Sequence, residues 1–287
     1  MTMTTTVQPS TQQSEWFASW FDSFHYHKLY ANRDDREAAS FLDALIARLQ
    51  PHQGDCVLDL GCGSGRHSRH LASKGLLVTG MDLAAGSIRE AKKLEQAHLR
   101  FLRHDMRVPF GREAFDYVFS FFTSFGYFEE PGEHLEVVRN MATSLRPGGR
   151  LVLDYLNVRH AEAALIPAER KEIDGVIYRL TRWTDSRHFF KRIVVDDGAG
   201  EPLEYVERVA RFTTLDFARM FAACGLTPES VHGDYHLGPY HAGTSPRMIL
   251  VARKTKIAAD ADYFRERFLR MRLSVSGETP RYDASIH

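Results

Sequence analysis

The sequence has little cysteine and no paired cysteine spacing. Its three cysteines, Cys56, Cys62 and Cys224, are odd in number and form no Cys-x-x-Cys motif. We therefore interpret them as free thiols of a reducing compartment, not as a disulfide framework. A signal-peptide core is also missing, and so is any apolar run of about 18 residues, the length that a membrane helix needs. These absences predict a soluble, cytoplasmic protein.

Net charge and clustered metal ligands are also missing. Lys+Arg and Asp+Glu each number 37, so no overall field draws the chain to nucleic acid or to an acidic membrane. The fourteen histidines show no His-Glu-x-x-His motif or other clustered spacing, which predicts that the protein holds no metal. The expected partner is a small molecule, and the oligomeric state stays open.

A glycine-rich turn after an apolar stretch is the most informative segment that is present. Val57, Leu58 and Leu60 predict a short buried strand, and Arg66 to Ala72 predict a helix. The run Gly61-Cys62-Gly63-Ser64-Gly65 between them predicts a tight turn, because glycine allows strained backbone angles and a close ligand approach. Such a turn presents free N–H groups and the positive end of a helix to a nucleoside or a carboxylate.

Further strands and helices alternate after this turn, which predicts an open, mostly parallel sheet. Asp82 closes the second predicted strand, 21 residues after Gly61. That distance is close to the roughly 20 residues between a glycine turn and a ribose-binding acid. A carboxylate there accepts hydrogen bonds from both ribose hydroxyls. Asp82 is also a favourable N-cap for a helix starting near Ala84, and both roles are compatible.

Two motifs resemble those of the class I S-adenosylmethionine-dependent methyltransferases of the small-molecule type. Asp59-Leu60-Gly61-Cys62-Gly63-Ser64-Gly65 resembles their first motif, and Leu145-x-Pro147-Gly148-Gly149 resembles the turn before their fifth strand. The resemblance covers about residues 36–157 and 213–253. It implies an α/β fold: a Rossmann-like, seven-stranded, mostly parallel sheet with helices on both faces and an antiparallel seventh strand. It also implies S-adenosylmethionine as the cofactor.

The resemblance also implies which residues bind the cofactor. The loop after the third strand supplies an acid for the adenine amino group and a neighbour for the ring, which correspond to Asp105 and Met106. An aromatic loop after the fourth strand faces the transferable group. The expected cofactor-binding residues are Tyr30, Arg33, Asp59, Gly61, Cys62, Gly63, Gly65, Asp82, Leu83, His104, Asp105, Met106, Phe121 and Ser124. No Asn/Asp-Pro-Pro-Tyr/Phe stretch follows the fourth strand, which disfavours methylation of DNA-base amino groups.

The rest of the chain divides into appended segments. We expect a disordered tail over residues 1–14, an N-terminal helical lid over 15–35 and a C-terminal helical extension over 254–287. The cofactor domain then comprises residues 36–158 and 212–253, and 159–211 form a small antiparallel β insertion that caps the sheet. In the lid segment, Trp16, Trp20 and Phe24 recur every four residues on a predicted helix. That stripe packs on the core or covers the ligand; the sequence allows both.

The predicted reaction is methyl transfer to a small-molecule acceptor by in-line displacement, in which proximity and exclusion of water supply most of the effect. If a general base acts, the expected residues are Tyr26, His27, Tyr155, His236 and Tyr240. Three alternatives remain open. One is cyclisation of the methionine part of S-adenosylmethionine to azetidine-2-carboxylate, with release of methylthioadenosine. The others are a non-catalytic S-adenosylmethionine-binding protein and a nicotinamide dehydrogenase.

Overall fold

The computed structural model describes residues 16–30 and 35–255. The strands are β1 (Cys56–Leu60), β2 (Leu77–Asp82), β3 (Leu99–Arg103), β4 (Phe115–Ser120), β5 (Leu145–Leu156), β6 (Ala168–Ile173), β7 (Val176–Thr184), β8 (His188–Asp196), β9 (Leu203–Ala210), β10 (Leu226–His232) and β11 (Arg247–Lys254). The helices are α1 (Trp16–Phe21), α2 (Phe24–Leu29), α3 (Asp35–Leu49), α4 (Arg66–Ser73), α5 (Ala85–Lys92), α6 (Pro131–Ser144), α7 (Val158–Ala163) and α8 (Thr214–Ala223). The predicted tail over 1–14, Arg33 and the predicted C-terminal helical extension beyond residue 255 lie outside the described residues.

The larger sheet has seven strands in the order β10-β11-β5-β4-β1-β2-β3. Its first five strands in the chain pair in parallel, whereas β11 is antiparallel to both β5 and β10. Strands of such sheets are apolar throughout because helices cover both faces, and Val57, Leu58 and Leu60 of β1 are all buried. The predicted fold, including the antiparallel seventh strand, is confirmed.

Helices lie on both faces of this sheet. One core cluster joins apolar side chains of α3, α4 and α5, such as Phe41, Leu71 and Ile88, to the strands. The other joins α6 and α8 to the opposite face, through residues such as Val138 and Phe217. The helices therefore bury both faces of the sheet, and polar side chains are accommodated in the loops at its carboxyl edge. No helix of the described residues is long and apolar enough to cross a bilayer.

A separate four-stranded antiparallel sheet, in the order β6-β7-β8-β9, interrupts the alternation. The sequence predicts one strand over Lys171–Trp183, but the structure has two strands there, joined at Asp174 and Gly175. Both residues have left-handed backbone angles, with φ of 48° and 79°. An Asp-Gly pair favours this kind of two-residue hairpin turn, so the expectation of a single strand is wrong for a local reason.

The N-terminal aromatic segment is two short helices, not the single striped helix that the four-residue spacing predicts. Ser23 caps the second helix, and its hydroxyl accepts the N–H of Tyr26 at 3.0 Å. A capping serine ends one helix and starts another because its side chain replaces a helical carbonyl partner. After this break Phe24 points outward and is 70% exposed, while Trp20 is fully buried.

Two helix starts show how local chemistry sets the boundaries. The sequence predicts α6 from His134, but it begins at Pro131, where Glu130 and Glu133 form a capping box. Proline is well suited to the first helical position because the N–H that it lacks would have no helical partner there. The sequence predicts that Thr213 or Thr214 caps α8, and the structure has the cap at Thr213, whose hydroxyl accepts from the N–H of Asp216. The predicted turn over residues 145–149 is part of the long strand β5.

Candidate functional site

A cavity of about 370 Å³ lies at the carboxyl edge of the large sheet, where α1 and α2 also approach. Ligands of open α/β sheets bind beyond the carboxyl ends of the strands. We call it the central cavity. Thirteen of the residues expected in a site line it: Tyr26, His27, Tyr30, Gly61, Cys62, Gly63, Asp82, Leu83, His104, Asp105, Met106, Phe121 and Ser124.

The glycine turn forms the floor of the central cavity. Gly61, Gly63 and Gly65 have φ values of 78°, 53° and 83°, which side chains other than glycine rarely adopt. A Cβ on Gly61 would lie 2.5 Å from Cβ of Ser124, so the loop after β4 packs directly on the turn. A Cβ on Gly63 would meet no atom within 4 Å. Because Gly63 lines the cavity, that open space is room for a ligand.

The N–H groups of the turn differ from the expectation of free donors. Gly61 and Cys62 both donate to the carbonyl of Met81, at 2.8 and 3.1 Å. The N–H of Gly63 donates to Oδ2 of Asp82 at 2.8 Å. The prediction that these groups are free for a ligand is wrong at these three positions, because the neighbouring strand β2 satisfies them. The turn therefore fixes β2 and its terminal carboxylate.

Asp82 is held by two backbone groups at the edge of the central cavity. Its Oδ1 accepts the N–H of Ala84 at 2.8 Å, and its Oδ2 accepts that of Gly63. Ala84 occupies the N-cap position of α5, so Asp82 supports the helix start from two residues before it. Withdrawal from water raises the pKa of Asp82, and the backbone hydrogen bonds oppose that shift. Each oxygen keeps acceptor capacity for a hydroxyl.

Asp105 forms a hydrogen-bonded ion pair with Arg107, a residue that the sequence analysis missed. The Arg107 guanidinium donates to both oxygens of Asp105, with Nη2 2.6 Å from Oδ2, and its Nη1 lies 2.9 Å from Oε1 of Glu133. Burial opposes ionisation of Asp105, but the hydrogen bonds and charge of Arg107 outweigh it and lower the pKa of Asp105. Asp105 is thus an oriented, ionised acceptor. An acid two residues before an arginine is too common a pattern to have indicated this pair.

Glu207, from strand β9 of the smaller sheet, also lines the central cavity and was missed. Its Oε1 accepts from Nε1 of Trp20 at 2.8 Å and from the hydroxyl of Tyr30 at 3.1 Å. Its Oε2 lies 3.0 Å from Nζ of Lys191. In the sequence, the mixed acidic and basic residues of the inserted segment predict a solvated outer face. The two-residue period of a strand could have indicated the position of Glu207. It places Glu207 on the same strand face as Tyr205, which packs on Trp20.

Five expected site residues are described by the structure but do not line the central cavity: Asp59, Gly65, Tyr155, His236 and Tyr240. Asp59 is buried beneath the turn, where its Oδ2 accepts from the Ser68 hydroxyl at 2.6 Å. Burial raises the pKa of Asp59 to about 6, although the Ser68 hydrogen bond opposes the shift. Gly65 packs against the ring of Phe101, 2.5 Å from where its Cβ would lie.

The three remaining residues are held away from the central cavity. Tyr155 is fully buried and its hydroxyl donates to the carbonyl of Ala210 at 2.7 Å; burial raises its pKa far above the usual range. The hydroxyl of Tyr240 donates to Oδ1 of Asn157 at 3.2 Å, and His236 is exposed on a loop. Of the five expected bases, only Tyr26 and His27 reach the cavity.

Comparisons with known proteins agree with this geometry. Residues 57–149 match a family model described as a methyltransferase domain. A Geobacillus protein described as a methyltransferase is 27% identical over 84% of this chain and 99% of its own. The dTDP-3-amino-3,6-dideoxy-alpha-D-glucopyranose N,N-dimethyltransferase of Streptomyces fradiae is also 27% identical, over 79% of this chain and 90% of its own.

A solved structure is similar over most of its length. CalS10, an amino pentose methyltransferase from Micromonospora echinaspora solved with bound S-adenosylmethionine, is 25% identical, with a TM-score of 0.60 over 81% of this chain and 98% of its own. These matches do not support cyclisation, non-catalytic binding or a dehydrogenase. Residues 57–149 thus match a methyltransferase domain, and the fold and the comparisons together support a class I S-adenosylmethionine-dependent methyltransferase, an enzyme that uses S-adenosylmethionine as its cofactor.

Proposed function

We propose that the enzyme methylates a small-molecule acceptor by in-line displacement inside the central cavity. One observation carries the proposal. The glycine turn, Asp82, the Asp105 loop and the loop after β4 meet in one cavity that the N-terminal helices and Glu207 of the smaller sheet also line. Its volume of about 370 Å³ falls within the range of small-ligand sites, roughly 300 to 1,000 Å³.

The residues of the cavity fit the cofactor. Asp82 offers carboxylate oxygens to ribose hydroxyls, and the ionised Asp105 offers acceptors to the adenine amino group. Leu83 and Met106 also line the cavity and offer apolar surface to such a ring. When bound, S-adenosylmethionine supplies a methyl group on a positively charged sulfur. The aromatic side chains that line the cavity suit a cationic group electrostatically.

The acceptor side of the cavity supports a small substrate. We propose that α1 and α2 act as a lid and that the inserted sheet caps the cavity, because Trp20 and Tyr30 both donate to Glu207 of that sheet. An enclosed site of this kind excludes water and confines the acceptor. Two of the similar proteins, from Streptomyces fradiae and Micromonospora echinaspora, are described as amino-sugar methyltransferases, and the chain carries no net charge to draw a nucleic acid.

Catalysis in this proposal depends mainly on positioning. Holding donor and acceptor in line removes much of the entropic barrier. If a proton must leave the acceptor, Tyr26 and His27 are the expected bases that reach the cavity. Tyr155, His236 and Tyr240 are omitted from the proposal because their side chains lie elsewhere.

The test combines binding with product analysis. Calorimetric titration of the wild type with S-adenosylhomocysteine should show one site, and Asp82→Ala should weaken its affinity at least tenfold, about 1.4 kcal/mol. Incubation with S-adenosylmethionine and a panel of amino sugars, followed by mass spectrometry, should give S-adenosylhomocysteine and a methylated sugar together. Unchanged affinity in Asp82→Ala would contradict the assigned cofactor site. Methylthioadenosine formed without any acceptor would contradict methyl transfer.

A further inference from the structure

The loop after β4 has a strained backbone at the wall of the central cavity. Phe122 and Thr123 are consecutive non-glycine residues with left-handed φ values of 55° and 60°. A side chain in this region strains the backbone, and the conformation persists only where the surroundings impose it. Phe122 and Ser124 line the cavity, and Ser124 packs on Gly61. Whatever imposes the strain therefore sets one wall of the cofactor site.

A buried carboxylate on β5 fixes the backbone of this loop. Oδ2 of Asp154 accepts the N–H of Phe122 at 2.7 Å, and the carbonyl of Asp154 accepts the N–H of Thr123 at 3.1 Å. Asp154 is 1% exposed. Both hydrogen bonds hold these two N–H groups on one residue while Phe122 and Thr123 have left-handed angles, so Asp154 acts as the template of the turn.

Arg247, at the start of β11, balances that carboxylate and reaches the loop itself. Its Nε and Nη2 both lie 2.8 Å from Oδ1 of Asp154, and Nη2 also donates to Oγ1 of Thr123 at 3.0 Å. A buried carboxylate needs such a partner, because an unpaired charge in the interior is strongly destabilising. The same guanidinium thus neutralises the template and holds the strained residue.

Tyr235, from the segment between β10 and β11, completes the contact. Its hydroxyl lies 3.3 Å from Oδ2 of Asp154, and its ring lies 5.1 Å from that of Phe122. Phe122 in turn stacks on His67 at 5.0 Å, and both line the central cavity. β11 and the segment that connects it to β10 are therefore linked to the cavity wall through Arg247 and Tyr235, which do not line the cavity.

We propose that Asp154 and Arg247 are positioning residues, which hold Phe122–Ser124 in the conformation that the cofactor site requires. Their effect reaches the ligand only through the loop. This inference rests on the central cavity being the S-adenosylmethionine site proposed above. The Asp82→Ala titration tests that premise separately, so a failure of the site and a failure of the positioning role give different results.

The experiment measures affinity for S-adenosylhomocysteine by calorimetry, well below each variant's melting temperature. Arg247→Lys loses the fork on Asp154 and Thr123 and should bind about tenfold more weakly. Thr123→Val cuts the link to Arg247 without disturbing the buried ion pair, and it should bind a few-fold more weakly. The matched control is Arg253→Lys, on the same strand, whose ion pair with Glu229 lies away from the loop; its affinity should equal that of the wild type.

A rescue variant separates positioning from mere stability. Glycine adopts left-handed angles without strain, so adding Thr123→Gly to Arg247→Lys should restore most of the lost affinity even though the ion pair stays weakened. A purely structural role predicts that Arg247→Lys lowers the melting temperature, leaves affinity unchanged and gains nothing from Thr123→Gly. Either unchanged affinity in Arg247→Lys and Thr123→Val, or a failed rescue, would overturn the inference.

Discussion

Gly61 is the residue at which the glycine turn and the loop after β4 come into direct contact. Its φ of 78° and the 2.5 Å between a Cβ there and Cβ of Ser124 give it two separate reasons to be glycine. Gly61→Ala should lower the free energy of unfolding by about 2–4 kcal/mol, from overpacking and backbone strain together. It should also weaken S-adenosylhomocysteine binding, because Ser124 must move. Urea unfolding and calorimetry measure the two effects.

The control for this substitution is Gly198→Ala. Gly198 has a similar φ of 73°, but a Cβ there would meet no atom within 4 Å. It should lose only the strain term, about 1 kcal/mol, and keep wild-type affinity. Equal losses of stability in the two variants would show that contact with Ser124 contributes nothing.

Site residues could be predicted from sequence where a local pattern determines their position. Asp82 follows the glycine turn at a spacing set by one strand–helix–strand unit, and the structure puts it in the central cavity. Glu207 and Arg247 have no such pattern. Glu207 reaches the cavity through a sheet whose docking depends on tertiary contacts, and Arg247 meets Asp154, 93 residues away in the chain, across a strand pairing. Tyr155 failed as an expected base because strand alternation turned it into the core.

At the scale of elements, the docking of the N-terminal helices on α5 makes a specific prediction. The carboxylate of Asp22, between α1 and α2, accepts a short hydrogen bond from the N–H of Gly86 in the first turn of α5. A Cβ on Gly86 would lie 2.7 Å from Oδ1 of Asp22. Gly86→Ala should therefore displace the helices that line the cavity and speed the dissociation of S-adenosylhomocysteine several-fold. Stopped-flow tryptophan fluorescence measures that rate, because Trp16 and Trp20 lie in α1.

Gly132 provides a matched control in a helix of the same sheet. Like Gly86, it is the second residue of its helix, but a Cβ there meets no atom within 4 Å. Gly132→Ala should raise stability slightly, since alanine favours helix over glycine by up to about 1 kcal/mol, and leave the dissociation rate unchanged. If Gly86→Ala also leaves that rate unchanged, docking of α1 and α2 on α5 does not control release.

Element boundaries were predictable where strong periodicity met clear end signals. The sequence predicts a strand over Phe115–Ser120, which is the observed range of β4, and α8 has its cap at Thr213, one of the two threonines predicted for it. The predicted boundaries were wrong where a polar residue caps a helix or forms a turn inside a longer hydrophobic pattern. In the sequence, Ser23 is compatible with the exposed surface of one continuous helix, but in the structure it caps a second helix. Asp174 and Gly175 form a turn that divides one predicted strand into the two strands of a hairpin. In both cases a short-range hydrogen-bonding preference competed with a longer hydrophobic pattern and won.

At the scale of the whole molecule, buried ionisable groups of two kinds oppose each other as pH changes. His134 lies in an aromatic cluster, 5.4 Å from Phe125 and 4.9 Å from Phe212 between ring centroids, and burial lowers its pKa to about 4. Asp59 has its pKa raised to about 6 by burial. As pH falls below about 6.5, the histidine binds its proton in the unfolded state before it does so in the folded state. As pH rises above about 3.8, the aspartate loses its proton in the unfolded state before it does so in the folded state. Between these two pH values, the contributions of His134 and Asp59 to the pH dependence of the free energy of unfolding have opposite signs and offset each other.

Removing His134 should leave the pH dependence of stability that Asp59 causes without its opposing contribution. His134→Leu keeps an apolar side chain in the cluster and abolishes the penalty for holding an imidazole neutral. Its free energy of unfolding, relative to wild type, should be about 2 kcal/mol more favourable at about pH 5 than at pH 7. Urea unfolding at several pH values measures the difference. His236→Leu, at an exposed position, is the control and should show no such trend; a trend equal to that of His134→Leu would contradict the assignment.

Removing the carboxylate should have the opposite pH dependence. The folded-state pKa of Asp59 is above its unfolded value, so its contribution is fully present below about pH 3.8 and is lost as pH rises through about 6. Asp59→Asn keeps an acceptor for the Ser68 hydroxyl and cannot ionise. Relative to wild type, it should gain about 2 kcal/mol of stability between about pH 4 and pH 7, while Glu201→Gln, exposed on a turn of the inserted sheet, should gain nothing. A pH-independent difference would mean that the folded protein holds Asp59 ionised throughout, with the hydroxyl of Ser68 outweighing burial.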